Sequence, residues 1–216
     1  IYNMLKTEGN TVWVGGNIGN PLFSKIEQIK NEDKVVLELS SFQLMSIREP
    51  MEVALVTNIS PNHLDIHKDM EEYIETKKNI FKYQRNDDLL VINEDNKITK
   101  SMEKECKGRL MKFSMKERLK EGSFYYNGDL YINKKKVCNI SEVKLKGMHN
   151  IENLLAAFCC VSEDVSIESM REVAKSFNGV EHRLEFVKEI QGVKYFNDSI
   201  ASSPTRTLAA LRSFDR

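Results

Sequence analysis

The 216-residue chain carries 32 Lys+Arg against 32 Asp+Glu, so its net charge is zero and its pI is about 7.1. Hydrophobic residues make up 41% and charged residues 30%, which excludes a largely disordered chain and disfavours a strongly basic nucleic-acid or membrane-surface protein. The length suits one large domain or one domain plus part of another, no apolar run approaches a bilayer span, and residues 1–20 lack the segments of a signal peptide.

Residues 1–8 have helical spacing and 11–14 read as a strand. Residues 21–30 read as a helix with Leu22, Ile26 and Ile29 on one face. The runs KVVLEL (34–39) and VALVTNI (53–59) are nearly continuous and β-favouring. Strands without polar alternation are usually covered on both faces, as in parallel sheets. A helix over 69–84 and a strand LLVIN (89–93) follow. Strand and helix alternating at this spacing predict an α/β fold with a mostly parallel sheet and crossover helices.

The pattern then changes. Short strands are predicted over 109–114, 123–126, 130–133 and 136–140, with Asn127-Gly128 as a hairpin turn. They read as a small antiparallel addition to the main sheet. The basic stretch 97–120 also carries Glu103, Glu105 and Glu117 and reads as a solvated helical face. Helices over 150–161 and 167–177 follow, the second stopped by Asn178-Gly179. A domain boundary is placed there, giving domains 1–179 and 180–216. The second part holds strands over 184–190 and 193–196 joined by Gln191-Gly192, then a helix with Ser203 as N-cap and Pro204 first. Two strands and a helix make a poor core, so 180–216 reads as the start of a second α/β domain. Cys106, Cys138, Cys159 and Cys160 show no CxxC spacing, and the neighbours Cys159 and Cys160, in an apolar helical run, read as reduced core residues, which suits a cytoplasmic location.

In open α/β sheets ligands bind beyond the carboxyl ends of the strands. Four such ends are unusually polar: Asn17 in a Gly-rich turn; Glu38, Ser40, Ser41 and Gln43; Asn58, Asn62, His63, Asp65 and His67; and Asn197, Asp198 and Ser199. Glu38 sits in an apolar strand, where a carboxylate is either satisfied by nearby donors or a Lys, or binds a hard cation such as Mg²⁺. His63, Asp65 and His67 alternate and could hold zinc if they lay on a strand, although Pro61 argues for a loop. Lys77 falls in the apolar stripe of Met70, Tyr73, Ile74, Ile80 and Phe81, while Lys78 points roughly 100° away. A lysine so placed either snorkels or loses its charge, and a neutral amine can take up carbon dioxide as a carbamate. Asn150 and Asn153 are either an N-cap and its neighbour or a polar pair beside a helix start that favours anions. Arg183 follows the predicted boundary, where an Arg can reach a phosphate across a cleft. No GxxxxGK[ST] phosphate loop occurs in the chain.

Seven segments, in this order, resemble the Mur ligase family: GGNIGNP (15–21), LELSSFQL (37–44), TNISPNHLDIH (57–67), YIETKKNIF (73–81), GMHNIENLLAA (147–157), GVEHRLE (179–185) and NDSIASSPTRT (197–207). LELSSFQL is the most specific. The resemblance implies three domains in the complete protein: one binding UDP, a central ATPase domain, and one binding the incoming amino acid. The chain is similar to the central domain after its phosphate loop plus the start of the third, and alone it is expected to be inactive. The implied reaction joins D-glutamate to UDP-N-acetylmuramoyl-L-alanine at the expense of ATP, through an acyl phosphate, in peptidoglycan synthesis. In the implied site, Glu38 holds the Mg²⁺ that bridges the ATP β- and γ-phosphates, His63 helps hold a second Mg²⁺, and Lys77 is carbamylated. Asn17 and Ser40 contact the muramoyl substrate, and Asn150, Asn153, Arg183 and Asp198 contact ATP. Position 200 is Ile, where the family often has Lys. A cytoplasmic monomer without nucleic-acid or membrane partners is expected. The rival readings are a folylpolyglutamate-synthase-like ligase, a metal-dependent hydrolase using His63, Asp65 and His67, and a non-catalytic binding module.

Overall fold

The computed structural model describes residues 1–18, 21–60, 67–145, 147–201, 204–211 and 214. Helix α1 (Tyr2–Thr7) leads into strand β1 (Val12–Gly16) and, after a 3-10 helix over Leu22–Gln28, into β2 (Lys34–Glu38). The short α2 (Ser41–Leu44), β3 (Val53–Val56), α3 (Met70–Lys82), β4 (Leu89–Asn93) and α4 (Lys97–Ser101) follow. Next come β5 (Arg109–Ser114), β6 (Ser123–Tyr126), β7 (Asp129–Ile132) and β8 (Lys135–Asn139), then α5 (Met148–Val161) and α6 (Ile167–Ser176). A hairpin of β9 (Glu185–Ile190) and β10 (Val193–Asn197) precedes α7 (Pro204–Leu211).

The main sheet runs β3-β4-β5-β6-β7-β8. Its first four strands are parallel and its last three are joined by antiparallel pairings. The fold is thus α/β with a mostly parallel part and a small antiparallel extension of the same sheet, as the sequence predicts. Strand β4 shows why. Its side chains alternate across the sheet, so Leu89 and Val91 enter one core with Phe113, Leu155 and Phe158 of the α5 side. Leu90 and Ile92 enter a second core with Tyr73 and Phe81 of α3. All five β4 residues are buried, and burying each large aliphatic contributes about 1.5–3 kcal/mol. Asn127 at φ 49° and Gly128 at φ 85° form the predicted β6–β7 turn, whose two positive φ values match the twist of a tight hairpin.

Several expectations change. Strands β1 and β2 form their own parallel pair, separate from β3. A cavity of about 720 Å³ lies between β2 and β3, lined among others by Val35, Leu37, Glu38, Val53, Leu55 and Lys77. The β2 run is therefore not covered on both faces: Val35 is 44% and Leu37 42% exposed. Residues 22–28 form a 3-10 helix with no buried residue rather than an α-helix with an apolar face, and Phe23 is 86% exposed. The stretch 97–120 is not one solvated helix. Only its start is helical; it then enters β5, and Lys112 lies 3.1 Å from Glu94 and 2.7 Å from Glu103, with Lys100 also paired to Glu94. Helix α6 ends at Ser176 with an extended Phe177, and Gly179 at φ 100° comes two residues later. The expected N-cap Ser203 lies outside the described residues. All four cysteines are free, and burial pushes the Cys159 thiol up to about 12 and the Cys138 thiol up to about 11. Among the described residues, no helix is long and apolar enough to cross a membrane.

Candidate active site

The carboxyl ends of β1 and β2 lie side by side, with Gly16 opposite Glu38 in the parallel register. Gly16 has φ 97°, and a Cβ built there would meet the Glu38 carbonyl oxygen at 2.1 Å. Only glycine permits both the left-handed backbone and this approach. The contact seats Asn17, whose amide donates to the Glu38 carbonyl at 2.7 Å. Glu38 closes β2 and faces the 720 Å³ space, where it is exposed.

The chain then turns sharply into α2 because Ser40 and Gln43 form a reciprocal cap. The Ser40 hydroxyl accepts from the Gln43 amide at 3.3 Å, and the Ser40 amide donates to Gln43 Oε1 at 2.9 Å. Such a box satisfies two of the donors that a helix start leaves unpaired. Sequence reasoning took Ser40 as a substrate contact and missed this cap, although the S-x-x-Q spacing was its signal.

Helix α3 delivers Lys77 to the same place. The helix starts where Asp69 accepts from the Glu72 amide at 2.9 Å, and Glu71 and Glu72 favour its positive end. Lys77 Nζ donates to the Leu39 carbonyl at 3.4 Å. Desolvation lowers the Lys77 pKa, and the charge of nearby Glu38 opposes that shift. Lys78 points elsewhere, as the helical spacing predicts, and pairs with Glu75 and Glu105 at 2.6 Å each. Asn17, Glu38, Ser40 and Lys77 therefore converge on the ends of β1 and β2.

His63, with Asn62 and Asp65, lies outside the described residues. His67 is 2% exposed. Its Nε2 lies 3.0 Å from the Ser41 hydroxyl, and its ring stacks on Phe42 with centroids 5.7 Å apart. Its ring is buried, and the other two members of the alternating pattern lie outside the described residues. Among the described residues no cluster of three His, Cys, Asp or Glu side chains could hold a metal.

A second group gathers around the start of α5. Asn150, Asn153 and Arg183 line one cavity of about 260 Å³ with Tyr2, Phe177 and Val180. Gly147, with φ 91°, is the N-cap, which removes the alternative that Asn150 caps the helix. Asp198 stands beside this group, its Oδ1 accepting from the Leu184 amide at 3.1 Å. His149 has a lowered pKa, chiefly from burial and then from the Arg183 charge, with Glu152 and Asp198 opposing.

Three residues join the start of α5 to the ends of β3 and β4, and sequence reasoning gave two of them no role. Glu152 Oε2 accepts from Asn58 Nδ2 at 3.1 Å, and Glu152 Oε1 accepts from Asn93 Nδ2 at 2.9 Å. Asn93 Nδ2 also donates to Asn58 Oδ1 at 3.1 Å, which closes a ring of three hydrogen bonds. Asn93 is 1% exposed. The available signal was an Asn ending the otherwise apolar LLVIN strand.

A family model described as the Mur ligase middle domain matches residues 1–161. A UDP-N-acetylmuramoylalanine--D-glutamate ligase of Clostridium tetani is 88% identical over 100% of this chain and 47% of its own length. Its counterpart in Clostridium novyi is 67% identical with the same coverage. The chain thus spans about half the length of the curated relatives it matches. Among solved structures, MurF from Acinetobacter baumannii superposes with a TM-score of 0.75 at 16% identity, over 99% of this chain and 51% of that one. The MurF ligase from Thermotoga maritima in complex with ADP gives 0.69 at 23% identity, over 99% and 53%. These superpositions carry the fold.

Proposed function

The chain belongs to the Mur ligase family, and from that premise we propose that it supplies the central part of an ATP-dependent ligase that adds D-glutamate to UDP-N-acetylmuramoyl-L-alanine in peptidoglycan synthesis. The observation that carries this reading is the convergence of Asn17, Glu38 and a desolvated Lys77 where β1 and β2 end. The names of the Clostridium relatives supply the amino acid and the nucleotide sugar, and the ADP complex of the Thermotoga relative supplies the nucleotide.

In this reading residues 1–179 are the central ATPase domain and 180–216 begin the amino-acid-binding domain of a cytoplasmic monomer. Asn150, Asn153 and Arg183 hold ATP in the 260 Å³ cavity, with Asp198 beside them. Asn17 and Ser40 bind the muramoyl substrate. Transfer of the γ-phosphoryl group to the alanyl carboxylate releases ADP and leaves an acyl phosphate. The D-glutamate amine then attacks that carbonyl, expels phosphate and loses a proton to give the amide.

An exposed carboxylate and an amine next to each other fit a magnesium site once the amine becomes anionic. The Lys77 amine, left more neutral by burial, adds carbon dioxide and releases a proton to become a carbamate. Glu38, His63 and carbamylated Lys77 would hold two Mg²⁺ ions, which neutralise charge gathering on the phosphoryl group. The phosphate loop comes from outside these residues, and the 720 Å³ space between β2 and β3 has room for a strand leading into it.

The test is phosphate release by the full-length protein with ATP and Mg²⁺. The expected result is release that requires both UDP-N-acetylmuramoyl-L-alanine and D-glutamate, and none from residues 1–216 alone. Activity on a folate acceptor with glutamate, or none with any acceptor, would overturn the assignment.

A further inference from the structure

The nucleotide group on α5 and the Glu38–Lys77 group beside β2 lie on different elements, yet phosphoryl transfer requires their ligands to meet in line. One side chain on α5 is bonded to the segment that leaves β3 beside the Glu38–Lys77 group. Glu152 lies between Asn150 and Asn153 on α5, and its carboxylate takes hydrogen bonds from Asn58 and Asn93. Asn58 follows β3 and, with Thr57 and Ile59, lines the same 720 Å³ cavity as Glu38 and Lys77. Asn93 ends β4 and is buried. The backbone of this segment is held once more where Asn96 Nδ2 donates to the Ile59 carbonyl at 3.2 Å.

The donor count makes this ring specific. Both hydrogens of Asn93 Nδ2 are used, one on Asn58 Oδ1 and one on Glu152 Oε1. Asn58 Nδ2 uses the other carboxylate oxygen. Position 152 must therefore present two acceptors and no donor, which an ionised carboxylate does and an amide does not.

We infer that Glu152 is a positioning residue: through Asn58 it fixes the Thr57–Ile59 wall, which lines the same space as Glu38 and Lys77, relative to the nucleotide residues of α5. It touches neither substrate. The role rests on the ligase reading above, but its structural half does not. Without the carboxylate, α5 and the wall shift independently, and the two reacting groups lose alignment rather than affinity.

The test uses the full-length protein and the variants Glu152→Gln and Glu152→Gln/Asn58→Asp. In the single variant the new amide faces the Asn58 amide, donor against donor. In the double variant the pattern is restored with the roles exchanged, since the carboxylate introduced at position 58 accepts from the amide introduced at position 152 and from Asn93. The expected result is a kcat lower by roughly tenfold to a hundredfold in the single variant, with KM for ATP and for the nucleotide sugar within about twofold, and recovery of most of the rate in the double variant. Hydrogen exchange of the unliganded protein reads the structural half, and amides 57–60 should exchange faster in Glu152→Gln and return in the double variant. An unchanged kcat, a loss confined to KM, no recovery in the double variant, or faster exchange across the whole chain each overturns the inference. If the wild-type protein shows no ligase activity, the ligase reading fails by itself, and the exchange measurement still decides whether Glu152 holds the wall.

Discussion

Gly16→Ala separates the consequences of backbone conformation from those of close approach. Gly16 and Gly9 share nearly the same backbone state, φ 97° and φ 100°. At Gly9 an added Cβ meets nothing within 4 Å, whereas at Gly16 it meets the Glu38 oxygen at 2.1 Å and the Glu38 carbon at 3.1 Å. Gly9→Ala therefore carries only the left-handed penalty, about 1–2 kcal/mol. Gly16→Ala carries the same penalty and must also push a backbone carbonyl aside by about 1 Å, since a relaxed contact needs more than 3 Å. That movement sacrifices the 2.7 Å bond from the Asn17 amide, worth about 0.5–1.5 kcal/mol, and adds overpacking strain of about 1–3 kcal/mol. The expected loss is about 2.5–6.5 kcal/mol for Gly16→Ala against about 1–2 for Gly9→Ala, measured by urea unfolding of the full-length protein. Because the displaced carbonyl belongs to Glu38, the ligase rate should also fall by roughly a hundredfold, with Gly9→Ala near wild type. Equal destabilisation by the two variants would refute the argument that the close approach, and not φ, sets the Gly16 requirement.

Lys77→Ala in the full-length protein should abolish turnover, and added bicarbonate should not restore it, because the amine proposed to accept carbon dioxide is gone; near-normal turnover ends the carbamate proposal. Ser123→Ala should cost about 1–3 kcal/mol in urea unfolding, since the fully buried Ser123 hydroxyl donates to the Leu155 carbonyl at 2.6 Å and accepts from the Cys159 thiol at 3.1 Å; a change under about 0.5 kcal/mol contradicts that role. The Asp33 carboxyl is held below its ordinary value first by the Trp13 indole N–H at 2.7 Å and then by the Lys30 amide at 3.1 Å. A depressed carboxylate pKa gives stability that is complete above the unfolded value, about 3.9, and is lost as pH falls through the lower folded value. Asp33→Asn should therefore flatten the acid limb of the stability curve, followed by the fluorescence of Trp13, the single tryptophan; an unchanged limb counts against the bond.

What the sequence revealed follows from how local each cause is. The bounds of β4, β5 and β6 were legible to the residue, because apolar runs such as LLVIN carry their own signal and end in polar residues. Lys77 was separable from Lys78 because helical geometry alone turns the two apart. The β2 run misled, because its burial depends on what stands across the 720 Å³ gap and not on KVVLEL itself. The 22–28 segment misled similarly: apolar residues at helical spacing bury a face only if a partner surface meets it, and here no residue is buried. The burial of His67 was not legible from its alternation with His63 and Asp65, because its surroundings include Ser41 and Phe42, about 26 positions away. Glu152 was invisible for the same reason, since its Asn58 partner is 94 residues distant.

Helix α5 explains how so few polar residues can be held in place. From Leu154 onward its side chains are almost all buried, with Leu155, Phe158 and Cys159 at 0% exposure. This half is packed along β4, β5, β6 and β7 of the main sheet, where packing leaves little freedom to slide or turn. The first turn and a half carries the polar Asn150, Glu152 and Asn153, with Ile151 turned into the core. A rigid apolar shaft with a polar tip transmits the position of the core directly to the 260 Å³ cavity that Asn150 and Asn153 line, and the precision of such a tip is inherited from the element beneath it. The β3 end has no comparable shaft, since Val53–Val56 is a short strand facing the gap on one side. Its polar extension at Asn58 must borrow rigidity from elsewhere, and the Glu152 carboxylate and the buried Asn93 amide are what it borrows from.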